Sequence, residues 1–168
     1  MKKNYFSLVF NSIKYILIVM KFETLNELIL ALILWITTYT NYPEPQNQII
    51  IESISQKELG ELACGRPCEI MAYTPMDEKS KIYLIEELDP LNDVCHQGIL
   101  LHEIIHVIQD ETNFASNYED KTKKHLREMN ALVNHNIFLS HYGKKILYSN
   151  GFAAKFKKNK NTINDLYC

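Results

Sequence analysis

The segment Leu100-Leu101-His102-Glu103-Ile104-Ile105-His106-Val107-Ile108 constrains this chain more than any other stretch. Its two histidines are four residues apart, so on a helix both rings leave the same face one turn apart. On a helical wheel His102, Glu103, His106, Gln109 and Asp110 fall on one side. Leu100, Leu101, Ile104, Ile105, Val107 and Ile108 fall on the other. The apolar stripe predicts a helix anchored in a core, with the polar stripe lining a cleft.

Two imidazole nitrogens at this spacing suit a single zinc ion, and His102 and His106 are the first two candidate ligands. Glu103 lies about 100° around the helix from His102, within reach of a water on the metal without being a ligand. Zinc lowers the pKa of such a water from about 15.7 toward roughly 7, and a carboxylate beside it can take the proton. A hydrolytic zinc site also needs a third protein ligand and an open fourth position. Glu128 is the best candidate, because it shares a helical face with Ala131, Leu132, His135 and Leu139, where an unpaired carboxylate would be costly. Competing readings pair Glu128 with Lys124 or Arg127 on the surface, or give the third position to His135 or His125.

The rest of the chain reads as an α+β domain without repeats or long linkers. Thr24 with Glu27, and Ser55 with Glu58, have the capping-box pattern of helix starts. The first helix is expected to reach about Thr40, ahead of Asn41-Tyr42-Pro43. Ile49–Ile54, Glu69–Thr74 and Lys81–Glu86 read as strands. Asp89-Pro90 is the expected start of the histidine helix. A further helix should run from around Tyr118–Asp120 to Ser140, with Gly143 as its stop. Residues 23–168 are expected to form one domain.

Residues 1–22 read as a signal-like or anchoring leader, since Lys2 and Lys3 precede an apolar stretch from Tyr5 to Met20. That pattern favours an exported (periplasmic or extracellular) or membrane-anchored protein, the alternative being a cytoplasmic one. A second apolar run, Leu28–Tyr39, is too short to span a bilayer comfortably and reads as a buried helix. The formal net charge of -2 gives no reason to expect nucleic acid as a partner. The lysines near the end (Lys155, Lys157, Lys158, Lys160) read as a solvated tail. Cys64 and Cys68 bracket a short loop that could close as a disulfide, although four cysteines allow three pairings.

The pair of motifs, His102-Glu103-Ile104-Ile105-His106 and then Glu128-Met129-Asn130-Ala131, resembles the HExxH plus ExxA arrangement of gluzincins. The stretch from Cys64-Gly65-Arg66-Pro67-Cys68 through Leu91-Asn92-Asp93 to Leu100-Leu101-His102 is also similar to a family of small bacterial zincin-like proteins. The resemblance covers most of the chain after the leader. It implies a compact zincin-like domain with a small antiparallel or mixed sheet, its HExxH helix packed on a following glutamate-bearing helix. It also implies one zinc ion on His102, His106 and Glu128, Glu103 as catalytic base, and a peptide or protein substrate. An edge strand, Lys81–Glu86 or Glu69–Thr74, would bind that substrate by β-augmentation. Tyr118, His125, His135 and Tyr142 are candidates for the donor to the tetrahedral oxyanion. With only about sixty residues after the motif, a deep closed cleft is not expected.

Two other functions fit the same residues less well. A non-catalytic zinc-binding interaction module would need the ligands but not Glu103. A membrane-associated interaction protein would rest on the two amino-terminal apolar stretches, the first of which is broken by Asn11, Ser12 and Lys14.

Overall fold

Local capping fixes the first helix. In the computed structural model, which describes residues 22–145, Thr24 Oγ1 accepts from the Glu27 amide while the Glu27 carboxylate accepts from the amides of Thr24 and Glu23. The helix α1 then runs Leu25–Tyr39 and buries Leu28, Ile29, Leu32, Trp35 and Ile36. Among the described residues no helix is long and apolar enough to cross a membrane. Phe22, the last residue of the expected leader, is buried in the core. The remainder of the leader, Cys168 and the lysine-rich tail lie outside the described residues.

Strand β1 (Ile50–Ile54) leads into helix α2 (Gln56–Cys64), which Ser55 and Glu58 start with a second capping box. Gly65 ends α2 at φ 64°, and a disulfide joins Cys64 to Cys68 across the loop that follows. Strands β2 (Ala72–Tyr73) and β3 (Lys81–Ile85) complete a mixed sheet in the order β1-β3-β2. β1 runs parallel to β3 with Ile50 opposite Lys81, and β2 antiparallel to it with Tyr73 opposite Tyr83.

Two expectations change here. Lys81–Ile85 is the central strand, not an edge, because it pairs with β1 along one edge and β2 along the other; Ile82 and Leu84 enter the main core, and Tyr83 and Ile85 pack on Leu59 of α2. The Glu69–Thr74 strand shrinks to two residues, since the Gln56 side chain takes the carbonyls of Cys68 and Ile70 and holds the preceding chain out of the ladder.

The histidine helix α3 spans Val94–Glu111 and begins later than expected. Asp93 is the cap, its Oδ1 accepting from the amides of Cys95 and His96. Asp89 instead closes a turn, with its carboxylate on the Asn92 side chain and its carbonyl on the amides of Asn92 and Asp93. The final described helix, α4, runs Asp120–His141, followed by Gly143 at φ 66°. Trp35 of α1 ties it down, meeting Phe138 edge-on at 5.4 Å and donating its indole N–H to His141 Nδ1.

α3 lies between α1, the sheet and α4, so both of its stripes are covered. Leu100, Leu101, Ile104, Ile105 and Ile108 are fully buried, each stabilising the fold by about 1.5–3 kcal/mol. His102, Glu103, His106 and Gln109 are buried as well. The first part of the polar stripe is thus enclosed by α4 and the end of β2, while Gln109 and Asp110 at its far end line a cavity.

Candidate metal centre

The four-residue spacing brings Nε2 of His102 to 3.1 Å from Nε2 of His106, with the rings edge to face. Glu128, on α4, places Oε2 3.5 Å from each of those nitrogens. α4 can come this close because Ala131, one turn beyond Glu128, is small and fully buried. A second point of close approach lies at Gly98, where an added Cβ would meet His135 Nε2 at 2.4 Å.

His102, His106 and Glu128 form a group able to hold a metal ion. A tetrahedral zinc ion with bonds of about 2.0–2.1 Å keeps its ligand atoms about 3.3 Å apart. Edges of 3.1, 3.5 and 3.5 Å straddle that value. The donor set, two imidazoles and one carboxylate, also suits zinc and leaves one coordination position for another group. Without an ion, the three groups satisfy one another. Burial pushes the Glu128 carboxyl up, but hydrogen bonds from His102 and His106 outweigh it and hold the group well below the usual carboxylate range. Burial opposes charge on His106, yet Glu128 and Glu103 raise its pKa overall.

Glu128 does not pair with Arg127, whose guanidinium is bound to Asp110. Glu103 stands beside the ligand trio, outside it. Its Oε2 accepts from the Thr74 hydroxyl at 2.8 Å, directly after β2.

Gln109 has a fully buried side chain whose orientation is assigned by three neighbours. Its Nε2 donates to the Tyr42 hydroxyl at 3.0 Å and to the Arg127 carbonyl at 3.1 Å. The carbonyl oxygen therefore faces His106, 2.8 Å from Nδ1, and requires that nitrogen to carry the proton. The His106 Nε2 lone pair is then free for a metal. Tyr42 in turn donates to Asn130 Oδ1 at 2.6 Å, closing the network onto α4.

Comparison with protein-family models, curated proteins and solved structures finds no match for this chain. The residues themselves carry whatever can be said of the site.

The other sequence candidates sit elsewhere. His125 and Tyr118 are exposed, and Tyr142 packs on Phe138 at 4.8 Å. His135 is buried beside His102, with ring centroids 5.9 Å apart, but its Nε2 points at Gly98 without a hydrogen-bond partner. Burial lowers its pKa to about 3, so the ring is neutral. The Cys64–Cys68 disulfide belongs to the α2 loop. Thr74 and the Tyr42–Asn130 pair escaped sequence reading. Gln109 was visible on the polar stripe, three residues after His106, but its partners are distant in sequence.

Proposed function

We propose that this chain is a zinc-dependent peptidase of the zincin type, with His102, His106 and Glu128 as metal ligands and Glu103 as general base. The observation that carries this reading is the Thr74–Glu103 hydrogen bond. A buried carboxylate next to His102 in sequence, outside the ligand trio and held by a neutral hydroxyl, supports a role in water activation. A purely structural metal site has no use for such a group.

When bound, the zinc ion would supply Lewis-acid polarisation and make water acidic enough to ionise near neutral pH. The chain's own groups do the rest. The imidazoles of His102 and His106 present Nε2, the second fixed in that tautomer by Gln109. Glu103 would accept a proton from the attacking water as the C–O bond forms, and deliver it to the leaving amine as the peptide C–N bond then breaks. Access comes over Glu128, whose side chain is 35% exposed against 7% for His102 and 9% for His106. The two-residue edge strand β2, which leads into Thr74, is the sheet edge beside Glu103 on which an extended peptide would lie.

The same low exposure of both imidazoles favours a second reading, a non-catalytic zinc-binding interaction module of the same fold. One experiment separates them. Purified protein should contain about one zinc per chain, lost when His102 and His106 are changed to Ala. Cleavage of a broad peptide library should fall by a factor of about 10²–10⁴ in Glu103→Gln while zinc remains bound. Zinc without cleavage in the wild type supports the binding module. Cleavage undiminished in Glu103→Gln overturns the assigned mechanism.

A further inference from the structure

A cavity of about 400 Å³ lies beside the metal centre, and three of its walls continue residues of that centre. Val107 lines it, one helical turn beyond Glu103 and about 40° around α3 from it. Pro75 and Met76 line it, immediately after the Thr74 that holds Glu103. Arg127 lines it, next to the ligand Glu128. Gln109, which is hydrogen-bonded to His106, also lines it, so the cavity adjoins the metal centre. Its size is within the range of pockets that accept small ligands.

Its charges are unequally engaged. Asp110 is bound by Arg127. Glu111 is held by the amides of Gln46 and Asn47, by the Asn47 side chain and by the Ser80 hydroxyl. Lys79 and Lys123 also line the cavity, and among the described residues neither makes an ion pair. Both carboxylates are thus committed within the protein, while two ammonium groups remain available to an incoming anion.

We propose that this cavity is the specificity subsite of the metal centre and takes a carboxylate of the substrate, either an Asp or Glu side chain or the terminal carboxylate of a peptide. The inference rests on the peptidase reading for its name, but the carboxylate site is testable by binding alone. Lys79 comes from the β2–β3 connection and Lys123 from the first turn of α4, so two separate elements supply the cations. Their attraction is screened by salt, because Lys79 is exposed and Lys123 partly so.

The test uses the full zinc-loaded chain and a neutral fluorescent peptide, in matched versions carrying a single Glu at each position or ending in an acid or an amide. Cleavage and, separately, binding by fluorescence anisotropy are measured at low and high salt. A carboxylate at one position should improve kcat/KM and binding about tenfold, with the gain shrinking at high salt. Side-chain and terminal sources are separated by the Glu series and the acid–amide pair. Changing Lys79 and Lys123 together to Glu should reverse the preference toward a Lys-bearing peptide, with zinc content unchanged. If peptides bind with this charge dependence but none is cleaved, the subsite stands and the peptidase reading fails. If cleavage and binding are blind to the carboxylate, or the preference survives the double substitution, the subsite is overturned.

Discussion

Gln109 Oε1 lies 2.8 Å from Nδ1 of His106, and this contact determines which ring nitrogen is left to bind a metal. The orientation of the amide is itself set from α4, through the Arg127 carbonyl. On the proposed reading, a residue outside the ligand set would thus govern the chemistry of a ligand.

Replacing Gln109 by Met keeps the volume but removes this control. Outer partners of metal-binding histidines typically contribute 10–100-fold in affinity, so zinc binding should weaken by about that factor. Competition with a chromophoric chelator measures it. Unchanged affinity would show that His106 keeps its tautomer unaided.

Thr74→Val removes the donor to Glu103 Oε2 without touching a ligand. Peptide cleavage should fall roughly tenfold, the worth of about 1.4 kcal/mol, while zinc content stays at one per chain. Thr74→Ser should restore most of the rate. A loss of zinc alongside the rate would mean that Thr74 supports the site as a whole.

The metal-free protein should show a pH-dependent pairing of Glu128 with His106. The lowered folded-state pKa of Glu128 makes its contribution present above the unfolded value of about 4.3 and lost as pH falls. The raised pKa of His106 makes its contribution fully present below about 6.5 and lost as pH rises through the folded value. In the presence of a chelator, the stability difference between wild type and Glu128→Gln should therefore peak between about pH 4.3 and 6.5. Urea unfolding at pH 5 and pH 9 tests this, and an equal difference at both would refute the pairing. Zinc binding near neutral pH should also release a proton, seen as a calorimetric heat that varies with the buffer.

Gly98→Ala places a methyl group where His135 now sits. Alanine favours the helix by about 1 kcal/mol, but overpacking at a buried contact costs about 1–3 kcal/mol. A net loss of stability and of zinc affinity is expected, with partial recovery in the Gly98→Ala, His135→Ala double variant. A double-mutant cycle by chemical denaturation reads the coupling. Strict additivity would show that the two residues do not press on each other.

What could be read from the sequence was local or periodic. Thr24–Glu27 and Ser55–Glu58 are three residues apart and use only their own backbone, so both helix starts are where the pattern puts them. His102 and His106 share a face by helix geometry alone, and the buried stripe of Ala131, Leu132, His135 and Leu139 pointed Glu128 inward. Competition among neighbours misled the reading at α3, where Asp89 and Asp93 are both plausible caps and only the turn between them chooses Asp93. The position of β3 in the middle of the sheet depends on β1 pairing across the intervening helix, which no local pattern encodes. Thr74 and Tyr42 act across 29 and 67 residues of chain, and a lone Thr or Tyr carries no mark of that.

The shortness of β2 has a further consequence. The hydroxyl that steadies Glu103 follows a strand of two residues, paired on one side only and secured by the Ile85 amide on Met71 and by the Gln56 side chain. The ligands, in contrast, belong to helices packed into the core. Brief openings of β2 therefore need far less free energy than unfolding α3 or α4. On the proposed reading, the metal would stay in place through such openings, and reactivity would follow the closure of one small piece of sheet.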